Sequence, residues 1–347
     1  MTLVAIDADV LGRERTGDET YVRNLLRELV LIAPAAGIRL AALTRRPDLV
    51  PEGVEPVELS ARSQLVRMAI TLPRLLRRIR ADLVHTQYAL PLRPPCPGVV
   101  TVHDLSFERE PGLFGLKDRL VFRRVVPSAV RRADRVLTVS ERTKHDLVEL
   151  YSVPPTRIVV TPNGVDPAFR ALDPGETSPS NSLLQGSYVL VVGAIQARKN
   201  PLAALGAATA AGLPLVVVGP AKDAALAEEL RSGGARLEGH VAIERLAELY
   251  RGAACLVQAS RFEGFGLPVL EAMASGTPVV AVREPALQEV AGDAAVFVAD
   301  DGLADGIREA VRNRERLSAA GLERARAFSW AATAERTLAV YREILGA

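Results

Sequence analysis

Short runs of Val, Ile and Leu that are apolar on both faces recur along this chain, separated by longer amphipathic stretches. In the first half VAIDA, IRLAAL, DLVHTQ, GVVTVHD, RVLTVS and RIVVTP alternate with helical patterns near 20–33, 63–80, 116–132 and from Glu141. A strand with no polar face has no side to offer water, so it belongs inside a parallel sheet covered by helices on both faces. The rhythm stops at 173–187, DPGETSPSNSLLQGS, where Pro, Gly and Ser carry neither period. It restarts with YVLVVG, LPLVVVG, RLEGHV, ACLVQAS and TPVVAV, between helices after Asn200, near 222–231, from Ile243 and from Leu267. Two doubly wound α/β domains are therefore predicted, 1–172 and 188–328, with 173–187 as linker and Ser329 capping a final helix over 329–347. At 347 residues the chain exceeds the roughly 250–300 that one core serves.

Several function classes fall away at once. No GxGxxG follows the first strand, and GxxxxGK[ST], GxSxG and HExxH do not occur, which removes the main support for dehydrogenase, P-loop and hydrolase readings. The four histidines (His85, His103, His145, His240) include no pair at metal-ligand spacing, and Cys96 and Cys255 stand apart, so the expectation is no metal, no disulfide scaffold and a reducing compartment. MTLVAIDADV lacks a basic leader region and no apolar run approaches the roughly 18 residues of a spanning helix, which argues for a cytoplasmic location.

One segment concentrates the chemistry. Glu263 to Glu271, EGFGLPVLE, directly follows the strand ACLVQAS. Gly264 and Gly266 permit close backbone approach to a ligand, and Pro268 suits the first turn of a helix, so a helix N-terminus lies at a strand's carboxyl edge. Its N–H groups favour a diphosphate, and the Glu271 carboxylate suits vicinal hydroxyls such as those of a ribose. The bland alternative is an N-capping glutamate beside a surface glycine turn. Lys199 is one of only four lysines among 43 basic residues, which suggests selection as a compact charge for phosphate, although a helix-start lysine is ordinarily just solvated. His103 follows GVVTV at a carboxyl edge where α/β ligands bind; a lone histidine there is also often structural, and Asp104 reads as a turn or cap residue.

The order of these segments resembles family 4 retaining glycosyltransferases of the GT-B fold. EGFGLPVLE followed by AMASGTPVV is similar to the family signature, GAIQARKN (193–200) to its phosphate loop, TPNGVD (161–166) to its interdomain element, ADR (133–135) through Ser140 to its ADRxxxVS strand, and Val102-His103-Asp104 to its histidine turn. The resemblance spans nearly the whole chain. It implies two Rossmann-like domains facing a cleft, with the last helix crossing back to the N-terminal one. The N-terminal domain would bind acceptor and the C-terminal domain a nucleotide sugar. Glu263 and His103 would then be catalytic. Gly17, Arg198, Lys199, Gly264, Phe265, Gly266, Leu267 and Glu271 would bind the donor, GDP-mannose being favoured over a UDP-sugar. Two departures stand out: Ala194 follows the loop glycine where many members carry arginine, and where members usually show two glycines before the first helix the stretch Thr16 to Tyr21 retains only Gly17, beside Asp18 and Glu19, which suit acceptor contact or solvent better than a diphosphate.

The implied reaction moves a hexose, mannose above all, to a hydroxyl of a glycan or glycolipid in envelope polysaccharide assembly. Its rivals are a GT-B epimerase or phosphorylase, and a non-catalytic sugar-nucleotide-binding subunit. Residues 1–172 carry 26 basic against 20 acidic residues, a net of +6, while the remainder is −4. Residues 61–80 hold six arginines and no acid, and 119–135 six arginines against one aspartate, which suits an anionic membrane at the inner face of the cell or a phosphate-bearing acceptor. At 4% aromatics and without a stacking motif, nucleic acid is not an expected partner.

Overall fold

A computed structural model describes residues 1–13, 17–60, 63, 66–113, 115–172 and 187–346, with the side chains of 113 and 116–118 outside the description. The chain forms two compact units, Met1–Gly164 with Ser329–Ala347, and Val165–Phe328. Residues 165–172, expected in the first domain, thus belong to the second unit. The expected linker lies outside the described residues except for Ser187.

In the first unit the described strands form one parallel sheet in the order β3-β2-β1-β4-β5-β6-β7. They are β1 Thr2–Asp7, β2 Ile38–Thr44, β3 Glu55–Glu58, β4 Leu83–Gln87, β5 Gly98–Val102, β6 Arg135–Thr138 and β7 Ile158–Val160. Val99, Val100 and Val102 are wholly buried, as a strand covered on both faces must be. The order reverses between β1 and β4, so a ligand crevice is expected at their carboxyl ends. The edge strand β3, EPVE, was not anticipated, because its two glutamates and single buried residue carry no strand signal.

The final helix Trp330–Leu345 belongs to this unit, as the resemblance implied. The Ser329 hydroxyl accepts from the Ala332 N–H at 3.1 Å and caps it, the role read from the sequence. Its start abuts the PNGVD segment: a Cβ on Gly164 would lie 2.1 Å from the Trp330 nitrogen, so only glycine fits there.

The second unit's described strands form a parallel sheet in the order β10-β9-β8-β11-β12-β13. They are β8 Val189–Val192, β9 Leu215–Val218, β10 Arg236–Gly239, β11 Cys255–Gln258, β12 Val279–Val282 and β13 Val296–Val298. Leu190, Leu256, Val257, Val279 and Val280 are fully buried, and helices including Pro201–Ala210, Leu267–Ala274 and Leu303–Arg312 cover the faces. The short edge strand β13 carries a weak signal, with Val296 alone of its three residues buried. Here the order reverses between β8 and β11, which directs attention to the loops after those two strands.

Candidate active site

The loop after β8 opens at Gly193, whose φ of +138° suits glycine, and closes with one tight turn over Ala197–Lys199. Asn200 takes the left-handed conformation at φ +49° and hands the chain to the helix starting at Pro201, a position Asn tolerates through its short polar side chain. A Cβ on Gly193 would lie 3.5 Å from Lys199 Cε, so the lysine stem lies close to the strand end.

The loop after β11 meets this one. Arg261 N–H donates to the Arg198 carbonyl at 3.0 Å, and Arg198 Nη1 donates to the Phe262 carbonyl at 2.5 Å. Lys199 Nζ donates to Glu263 Oε1 at 2.5 Å, Arg198 Nη1 stands 3.5 Å from Oε2, and Gln258 Nε2 donates to Oε1 at 2.6 Å. Glu263 is 7% exposed. Burial pushes its carboxyl towards the neutral form, but Lys199 and then Arg198 outweigh that and hold it at about 2. A permanent carboxylate therefore sits between two cations at the crevice.

Gly266 at φ +109° turns the chain into helix Leu267–Ala274, with Pro268 in the first turn as expected. The Phe265 ring is buried edge-on against Phe328, and Leu267 is half-buried. Glu271, one turn along, accepts from the Tyr250 hydroxyl at 2.7 Å. Burial raises its carboxyl to about 7, the Tyr250 hydrogen bond opposes the rise, and the Asp166 charge adds to it. Sequence reasoning missed Gln258 and Tyr250; a glutamine ending the otherwise apolar CLVQ strand was the available signal for the first.

In the first unit His103 follows β5, its imidazole edge-on to Tyr21 at 4.8 Å between ring centres and 5.6 Å from Tyr88. Its Nε2 is buried without a hydrogen-bond partner among the described residues and stands 3.8 Å from Asp18 Oδ1. Gly17 is exposed in the first turn of helix Gly17–Ile32, so this turn and His103 are neighbours. Asp104 accepts from Ser106 N–H at 3.0 Å and Ser106 Oγ at 2.7 Å, a turn role. Glu19 corrects its expected acceptor or solvent role: it is buried, accepts from Gly12 N–H at 3.0 Å and pairs with Arg23 at 2.5 Å. Arg67, counted in the basic stretch, turns inward to Asp7 at 3.2 Å and Asp9 at 2.8 Å, because a buried carboxylate pair needs a cation. Among the described residues no cluster of three or more His, Cys, Asp or Glu is placed to hold a metal ion.

Comparison with known proteins resolves the class. Residues 15–169 match the family described as Glycosyltransferase Family 4, and residues 177–327 that described as Glycosyl transferases group 1. The O-antigen chain mannosyltransferase B of Escherichia coli is 32% identical over 267 residues, 70% of each chain. The D-inositol 3-phosphate glycosyltransferase of Actinosynnema mirum is 32% identical over 384 positions, covering 96% of this chain and 89% of that one. Among solved structures, sucrose-phosphate synthase from Thermosynechococcus elongatus superposes over all of both chains with a TM-score of 0.79 at 21% identity. Anabaena HepE in complex with UDP and glucose gives 0.75 at 16%, over 99% of this chain and 100% of that one. The fold, the order of motifs and these relatives together place this chain in family 4 of the glycosyltransferases, with the GT-B fold.

Proposed function

We propose that this glycosyltransferase moves a hexose, mannose first among candidates, from a nucleoside diphosphate sugar to a hydroxyl of a glycan or glycolipid, with retention at the anomeric carbon. The observation that carries the reading is the Glu263 carboxylate, buried yet held ionised between Lys199 and Arg198 at the β8/β11 crevice. Lys199 and Arg198 bind the diphosphate and offset the negative charge that grows on it as it leaves. Glu263 accepts hydrogen bonds from the sugar hydroxyls, Glu271 from the ribose, and the Gly264–Leu267 turn donates backbone N–H groups. On the first unit His103 serves the reacting sugar and Gly17 brings backbone close to it.

Retention by double displacement needs a carboxylate nucleophile. Glu263 already accepts from Lys199 and Gln258, which suits an anchor for hydroxyls better than a nucleophile. The step proposed instead is on one face: the bond from C1 to the diphosphate oxygen breaks, the acceptor oxygen bonds C1 from the same side, and the acceptor proton passes to the departing phosphate oxygen. GDP-mannose is the preferred donor, supported by the mannosyltransferase named among the relatives, with UDP-sugars the next choice.

The acceptor side is read as anionic and close to the inner face of the cell membrane. Arg74, Arg77, Arg78 and Arg80 are exposed in and after helix Leu72–Ile79, and Val66 and Ile70 are exposed just before it. Cations beside exposed aliphatic groups suit a lipid surface or a lipid-phosphate acceptor. The test is a thermal-shift screen of GDP-, UDP-, ADP- and dTDP-sugars, in which a nucleotide at 100 times its Kd stabilises by about 2.7 kcal/mol. GDP-mannose is expected to stabilise most, with the gain lost in Lys199→Ala. No stabilisation by any sugar nucleotide contradicts the reading.

A further inference from the structure

The first unit contains a buried polar path that the proposed reaction does not use. His85 on β4 is fully buried, with Nδ1 at 2.6 Å from the Tyr341 hydroxyl and Nε2 at 2.7 Å from Thr101 Oγ1. Thr101 Oγ1 lies 3.1 Å from the Tyr21 hydroxyl. Tyr21, Thr101, His85 and Tyr341 are all fully buried. Burial, and then the nearby His103, push the His85 imidazole down to about 3, so it stays neutral and has one donor and one acceptor nitrogen.

Those constraints orient the protons. The path runs if the Tyr341 hydroxyl donates to His85 Nδ1, His85 Nε2–H to Thr101, and Thr101 to Tyr21. The Tyr341 and Thr101 hydroxyl protons then each have an acceptor, as low-dielectric surroundings require. The path begins on the last helix, passes through the centre of the sheet, and ends at Tyr21, which meets the His103 imidazole edge-on.

We propose that this path positions His103: the last helix, through Tyr341, His85 and Thr101, fixes the Tyr21 ring, and Tyr21 fixes the imidazole that serves the reacting sugar. Tyr341 touches no reacting atom and is a positioning residue. The inference rests on the assignment of His103 to the reaction.

Tyr341→Phe keeps the ring and removes only the hydroxyl. Single-turnover transfer is measured for Tyr341→Phe, for His103→Ala and for both together, alongside nucleotide affinity and melting temperature. Tyr341→Phe is expected to slow transfer about ten- to a hundredfold with nucleotide affinity unchanged, and to add nothing once His103 is alanine. Thr101→Val breaks the path between His85 and Tyr21 and is expected to act alike, with recovery in Thr101→Ser; it serves equally if Tyr341→Phe fails to fold. An equal loss in both His103 backgrounds means that Tyr341 supports the fold alone and overturns the proposal. Wild-type transfer by His103→Ala removes His103 from the reaction instead. In that event imidazole NMR still judges the path: His103 ring resonances that move in Tyr341→Phe uphold positioning, and unmoved ones overturn it.

Discussion

Glu271 supplies a pH signature for nucleotide binding. Its carboxyl is raised from 4.5 to about 7, first by burial, with Asp166 adding to the rise and the Tyr250 hydroxyl opposing it. The proposed ribose contact needs the ionised form, since two vicinal hydroxyls donate and the carboxylate accepts. With a value near 7, about a tenth of molecules are ionised at pH 6 and about nine-tenths at pH 8, so affinity rises about tenfold across that interval. Calorimetry with the nucleoside diphosphate measures this, and Glu271→Gln supplies the control because the ligand's own phosphate ionisation is common to both proteins. The ratio of wild-type to Glu271→Gln affinity is expected to climb about tenfold from pH 6 to pH 8. Tyr250→Phe removes the opposing hydrogen bond and moves the climb to higher pH. Folding stability runs the other way: a carboxyl raised in the folded state favours the fold below 4.5, and that advantage is lost as pH rises through about 7. A ratio that stays flat with pH refutes the ribose assignment, and a wild-type melting temperature that rises relative to Glu271→Gln over the same range refutes the raised carboxyl.

Other outcomes follow from the same geometry. Glu263→Gln keeps shape but removes the charge that Lys199 and Arg198 hold, so transfer is expected to drop by about 2–4 kcal/mol of barrier while the fold survives, read by single-turnover kinetics and melting. Gly164→Ala forces a Cβ to within 2.1 Å of the Trp330 nitrogen and is expected to cost about 1–3 kcal/mol in denaturant unfolding. Wild-type protein is expected to sediment with anionic liposomes at low salt and to release at high salt, and Arg74→Glu/Arg77→Glu/Arg78→Glu to stay in the supernatant throughout. Wild type that ignores such vesicles at low salt points to a soluble acceptor.

The two parallel sheets were legible because their strands are buried on both faces and leave unbroken apolar runs, as in YVLVVG and ACLVQAS. The EPVE edge strand was not, since pairing along one edge asks little of its side chains. Glu263, Lys199 and Glu271 stand out as candidates through glycine spacing and the rarity of lysine, local signals that survive in one dimension, and the fold brings Lys199 to Glu263. Gln258 and Tyr250 were missed because their roles exist only when β11 and helix Ile243–Gly252 are brought to the site. Arg67 shows the converse: counting charge along 61–80 assigns it to the surface, whereas Asp7 and Asp9 on another segment draw it inward. Gly164 reads as part of a family motif, yet its physical cause is the start of a helix more than 160 residues later.

Proton NMR of the anomeric centre during turnover tests the proposed reaction most directly. With an α-linked sugar nucleotide and a hydroxyl acceptor, the first product formed is expected to carry the α configuration, with the nucleoside diphosphate released in equal amount, and the signal is expected to vanish in Lys199→Ala. A β product, or release of a sugar phosphate or an epimerised nucleotide sugar without transfer to the acceptor, contradicts the account.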